Sequence, residues 1–194
     1  ILDYEIYIYN WEKGTRLGLQ KEFYSSPRLD NITSVHACLS GIMANPCRKG
    51  IHAIALYDNE EIGSRTKQGA SSALMERILE KTFLSLGYSR EIFLSSLLDG
   101  FMLSMDVAHA IHPNHMEKCD IKNQILMGDG VAFKLAASQS YATDASSTGR
   151  IEALCRAKDI PYKKFSNRSD ERGGSTLGSI SSAFLTMRTV DVGV

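Results

Sequence analysis

The segment Tyr57-Asp58-Asn59-Glu60-Glu61-Ile62-Gly63-Ser64-Arg65 places two adjacent carboxylates after a short apolar run and just ahead of a Gly/Ser turn. Such a pair can divide two tasks, one carboxylate handling a proton while its neighbour holds a metal ion. The run before it, Ile51-His52-Ala53-Ile54-Ala55-Leu56-Tyr57, is bounded by Gly50 and the acidic turn, and predicts a buried strand of an α/β sheet. In such sheets, sites lie beyond the carboxyl ends of the strands. Composition alone favours a plainer reading, a solvated loop of Asp58, Glu60 and Glu61.

Two further carboxylates occupy comparable junctions. Asp30, in Ser26-Pro27-Arg28-Leu29-Asp30-Asn31, precedes a segment whose apolar residues Ile32, Val35, Leu39 and Ile42 recur at helical spacing. An isolated Asp there reads as a helix N-cap. Asp106 ends the predicted strand Phe101-Met102-Leu103-Ser104-Met105 and is followed by Val107-Ala108-His109-Ala110-Ile111-His112-Pro113. A strand-terminal Asp is also an ordinary turn residue. Three acidic sites at three junctions, however, can converge on one cation or a pair. His109, His112 and His115 recur every third residue and suggest a zinc triad, but Pro113 interrupts any helix that would stack them, and His109 with His112 also fits packing and capping. Gly130 to Ala136 reads as a strand with Lys134 alone among apolar neighbours; a buried cation needs an anion, whereas an edge Lys snorkels outward and leaves Tyr141 as ordinary core.

With these residues in view, the chain resembles the aspartyl aminopeptidase family of two-metal aminopeptidases, which includes the vacuolar aminopeptidases. The segments that carry the resemblance are Ser26 to Asn31, Asp58 to Ser64, Ser104 to Asn114, Tyr141-Ala142-Thr143-Asp144, and Asn167-Arg168-Ser169-Asp170 with Gly173-Gly174-Ser175-Thr176-Leu177-Gly178, in the family's order. The resemblance implies Asp30 as the carboxylate bridging two divalent metal ions, Glu61 and Asp106 as ligands of one ion each, and Glu60 as the general base. It implies zinc first, with manganese or cobalt as alternatives, and places His109, Lys134 and Tyr141 in the substrate pocket. It also implies peptide substrates cut after an N-terminal Asp or Glu, and a homo-oligomer built from dimers. Leu135-Ala136, Ser140 and Asp120-Ile121-Lys122-Asn123 depart from the family pattern near that pocket. The family's early and late His ligands and its dimerisation insert have no counterpart here. The expectation is therefore a partial metallopeptidase catalytic domain over 1–194, with a noncatalytic assembly unit or peptide-binding module of the same fold as the alternative.

The elements that must position these residues alternate. Strands are expected at Tyr4–Tyr9, at Ile51–Tyr57, before Asp106 and around Lys134. Helices are expected from about Asn31, through Leu74, Ile78 and Leu79 to a stop at Gly87, from Glu91 to Leu98, from Ala145 to Lys158, and from a Ser175-Thr176 cap through Ile180 and Phe184. This order predicts a three-layer α/β/α sandwich around a mostly parallel mixed sheet. Gly173-Gly174-Ser175-Thr176 lacks the Gly-Lys-Ser/Thr of a phosphate-binding loop and reads as a close-approach turn. The 194 residues carry zero formal net charge, which gives no reason to expect nucleic acid or an anionic membrane as partner. Cys38, Cys47, Cys119 and Cys155 lack CxxC spacing and read as reduced thiols of a cytoplasmic protein.

Overall fold

In the computed structural model, which describes residues 1–171 and 173–194, the chain first forms a small antiparallel ribbon, β1 (Thr15–Leu17) against β2 (Phe23–Ser25). Helices α1 (Leu29–Ala44), α2 (Leu74–Ser85) and α3 (Arg90–Asp99) follow, then strands β3 (Phe101–Asp106) and β4 (Val131–Leu135). Helix α4 (Ala145–Ala157), strand β5 (Tyr162–Ser166), helix α5 (Leu177–Leu185) and strand β6 (Arg188–Gly193) complete the order. The main sheet runs β3-β6-β4-β5, with β3/β6 and β4/β5 parallel and β4/β6 antiparallel. This is the expected α/β class with a mostly parallel mixed sheet.

Strand alternation sends side chains to two different layers. On one face Phe133, Val190 and Val192 pack with Cys155 and Ile151 of α4, and Met105 of the same cluster meets Cys38 of α1 through a 3.4 Å sulfur contact. On the other face Met102 joins Phe93, Leu97 and Leu185, which α2 backs with Met75, Leu79 and Phe83. Helix ends follow local chemistry. Ser89 caps α3 by accepting from the Ile92 N–H, Asp144 caps α4 by accepting from Ser147, and Gly87 after α2 takes φ 87°, a left-handed turn that a side chain would strain.

Several expectations are corrected. Tyr4–Tyr9 and Ile51–Tyr57 form no ladder among the described residues, and Ile6, Ile8 and Leu56 are exposed. An apolar run shows that a segment can pleat, but a strand exists only through a hydrogen-bonded neighbour. Strands β5 and β6, by contrast, were not expected. Asp30 and Asn31 have non-helical φ/ψ, and among the described residues no helix N–H donates to the Asp30 carboxylate, which instead faces Asp106. Thr176 does precede α5, but its hydroxyl donates to Asp191 instead of capping the helix.

Phe133 is fully buried, with its ring 5.5 Å from that of Tyr162 in edge-on contact. Phe133→Ala is expected to lower the unfolding free energy by about 3–5 kcal/mol in urea titration, through lost transfer energy and a cavity between sheet and α4. A loss below about 1 kcal/mol would show that this face is not a packed core.

Candidate metal centre

The Asp58–Ser64 segment is a closed turn. Asn59 takes φ 61° and its amide nitrogen donates to Thr66 Oγ1 at 2.9 Å, while Gly63 N–H donates to Glu60 O and Ser64 N–H to Asn59 O, each at 2.9 Å. Glu60–Ile62 is thereby wound into one 3₁₀ turn, and Ser64, which is buried, accepts from the Ser71 N–H. Both glutamates sit on a short, internally braced tether. Asp30 is placed from the other side. Ser34, one turn further along α1 and buried, donates from its hydroxyl to the Asp106 carbonyl at 2.9 Å, which locks the start of α1 onto the end of β3. The sequence reading missed Ser34, whose only signal was a small polar residue on the apolar side of a helix.

The carboxylates converge. The charges of Asp106 and Glu61 bear on Asp30, and those of Asp30, Asp106 and Glu61 all bear on Glu60. One cation answers them: Lys134 Nζ donates to Asp106 Oδ2 at 2.9 Å, with the Lys134 side chain 5% exposed and that of Asp106 26% exposed. Burial opposes ionisation of Asp106, but the Lys134 hydrogen bond and charge, the Val107 N–H and the Asp30 contact outweigh it and hold its pKa below the usual range. Partial burial, the Asp106 charge and the Asp106 contact push Asp30 upward. Asp30 is exposed overall, and its acidic neighbour therefore weighs more than burial. Glu60 is also raised, by burial and then by Glu61, Asp106 and Asp30, against the opposing pull of Lys134.

Carboxyls whose charges bear on one another, with more negative charge gathered than the Lys134 ammonium offsets, fit a divalent cation. Asp30, Asp106 and Glu61 would be the oxygen donors, whether to one ion or to a pair. Among the described residues no three His, Cys, Asp or Glu side chains form a ready-made cage, and no imidazole joins the carboxylates. His109 is exposed and packs edge-on against Phe165 at 5.0 Å, while the His112 and His115 rings lie 5.2 Å apart and His115 pairs with Glu117. Tyr141 is buried beneath Lys134, whose Nζ lies 5.7 Å from its ring centroid, and the Tyr141 hydroxyl accepts from Asn167 Nδ2 at 3.2 Å. The structure thus brings together Asp30, Glu60, Glu61, Asp106, Lys134 and Tyr141, with His109 beyond Phe165 in the cluster that also holds Tyr141.

The whole of residues 1–194 matches the family described as aminopeptidase I zinc metalloprotease (M18). The chain belongs to the M18 family. A probable M18 family aminopeptidase 2 of Clostridium novyi is 47% identical over 193 residues, which take in 100% of this chain and 45% of that protein. Aspartyl aminopeptidase 4 of Saccharomyces cerevisiae is 34% identical over 206 residues, or 100% of this chain and 42% of that protein. Among solved structures, prApe1 superposes with TM-score 0.84 at 29% identity, covering 94% of this chain and 40% of that one. A chain of the Ape4 and Nbr1 complex does so with TM-score 0.82 at 31% identity, covering 94% and 36%. The M18 chain described here spans less than half the length of these relatives.

Removing the Lys134 ammonium leaves Asp106 facing its acidic neighbours. Lys134→Met is expected to destabilise the metal-free protein by about 2 kcal/mol, less than for a fully enclosed pair because Asp106 retains a solvent-facing side. An unchanged urea midpoint would show that the ion pair does not hold the cluster.

Proposed function

We propose that the chain is the central part of the catalytic domain of a metal-dependent aminopeptidase that removes the N-terminal residue from peptides, with Asp or Glu preferred. The observation that carries this reading is the convergence of Asp30, Asp106, Glu60 and Glu61 around the Lys134 ammonium, in a chain of a zinc metalloprotease family. Asp30 would bridge two divalent ions, zinc first, with Asp106 and Glu61 each serving one of them. When ions are bound there, the chemistry supplied is polarisation of the scissile carbonyl and acidification of a water molecule.

Glu60 takes the proton from the attacking water and returns it to the leaving amine nitrogen. A carboxylate whose proton affinity is raised by burial and like charges is suited to both transfers. The 3₁₀ turn keeps its carboxyl beside Glu61, so proton transfer and ligation share one rigid support. Lys134 and Tyr141 form the wall facing the N-terminal side chain, with His109 at its margin. Because Asp106 engages the Lys134 ammonium, an acidic substrate side chain must share it with Asp106. The preference for Asp or Glu is supported by that ammonium and by the S. cerevisiae relative named aspartyl aminopeptidase 4. Assembly as a homo-oligomer is supported by S. cerevisiae mApe1, a dodecamer 27% identical to this chain. A cytoplasmic setting is supported by four cysteines that are all free thiols.

Glu60→Gln keeps the size of the side chain and removes its basicity. In the zinc-loaded protein it is expected to lower kcat on an aspartyl-anilide by about 10²- to 10⁴-fold, with zinc content unchanged by elemental analysis. Unchanged kcat would remove Glu60 from the base role. A zinc-loaded wild-type protein that cleaves no N-terminal residue would favour the noncatalytic assembly unit.

A further inference from the structure

Asp191 is the one fully buried acidic side chain among the described residues, and the mechanism above does not use it. It lies on β6, between β3, which ends in Asp106, and β4, which carries Lys134. In register it faces Ser104 of β3, and since Phe133 faces Val192 on the other side, Lys134 follows next to Asp191. Nothing in the sequence reading singled it out; its signal was a lone carboxylate inside Val190-Asp191-Val192.

Its carboxylate and its N–H bond to two segments that border the site. Oδ1 accepts from Thr176 Oγ1 and Oδ2 accepts from the Ala142 N–H, each at 2.6 Å, while the Asp191 N–H donates to Thr143 Oγ1 at 2.9 Å. Those segments also join each other, since the Thr176 N–H donates to Ser140 O at 3.3 Å. Gly178 lies so close that a Cβ there would overlap the Asp191 carboxylate. Between the bonded residues sits Tyr141, under the Lys134 ammonium.

We infer that Asp191 is the positioning residue of the substrate wall, tying the Ser140–Thr143 loop and the Gly173–Gly178 turn to the central strand and so fixing Tyr141 beneath Lys134. The role of that wall in substrate binding rests on the aminopeptidase reading. Chemistry selects the residue. Both oxygens face donors, so an amide in place of the carboxylate must turn an NH₂ toward either Thr176 or Ala142, and charge-assisted bonds of this kind are short and strong. Gly178 itself must stay free of a side chain for the carboxylate to sit there. The β3/β6/β4 ladders form without the Asp191 side chain, so what it adds is the placement of the two segments.

The test compares zinc-loaded wild type with Asp191→Asn, Thr176→Val and Thr176→Ser. Asp191→Asn and Thr176→Val are expected to raise KM for an aspartyl-anilide about tenfold, with kcat within about threefold and zinc content unchanged. Thr176→Ser keeps the hydroxyl and is expected to stay within about twofold of wild type on both constants. Amide hydrogen exchange over 140–143 and 173–178 is expected to accelerate in the first two variants together. Faster exchange with unchanged KM, or a Thr176→Ser protein as impaired as Thr176→Val, would overturn the inference. If Asp191→Asn does not fold, the Thr176 pair carries the comparison. If wild type itself is inactive, the aminopeptidase reading fails separately and exchange decides the tether: joint acceleration sustains it, unchanged protection refutes it.

Discussion

Mutual repulsion among carboxylates is the constraint around which the rest of this molecule is arranged. Like charges repel, so gathering Asp30, Asp106, Glu60 and Glu61 toward one place opposes folding, and it shows as a raised pKa at Asp30 and at Glu60. Lys134 offsets part of it from beneath Asp106. The same crowding raises the proton affinity of Asp30 above that of an isolated carboxylate. A group of like-charged oxygen donors has a ready use for a divalent ion, and the M18 match gives that use a chemical context.

Repelling groups stay together only if the backbone beneath them cannot give way. Three devices supply this, each built from local chemistry. The 3₁₀ turn at Glu60–Ile62 is closed by its own backbone and by Asn59 on Thr66. The start of α1 is fastened to the end of β3 by Ser34 on the Asp106 carbonyl. Lys134 rises from β4, whose alternate residue Phe133 is buried in the opposite layer, so the packing that anchors Phe133 also aims the ammonium. Asp191 extends the same logic to the loops at the rim, joining two of them to the middle of the sheet.

How much of this can be read from sequence depends on whether the information is local. Glu60 beside Glu61 ahead of Gly63, Asp106 at the end of an apolar run and Lys134 inside one are local patterns, and the structure brings all of them together. So are the boundaries of α2, α3 and α4, where Gly87, Ser89 and Asp144 act on adjacent residues. Strand pairing is not local. β5 reads as polar because Lys163 and Lys164 sit on a sheet edge, where positive charge discourages further pairing. β6 is interrupted by Asp191, which becomes acceptable in the core only through donors supplied by Thr176 and Ala142. Ile51–Tyr57 shows the converse, an apolar segment without a ladder neighbour among the described residues. The Gly173–Gly178 turn was legible as a place of close approach, but not that Gly173 makes room for the Asn167 side chain and Gly178 for that of Asp191.

The most direct test of the central claim, that these carboxylates form a divalent-cation site, is anomalous diffraction at the zinc edge from crystals grown with zinc. The account predicts a peak between the Asp30 and Asp106 carboxylates, within coordination distance of both. A peak at His112 and His115 with none at Asp30, or no ordered zinc at all, would contradict it.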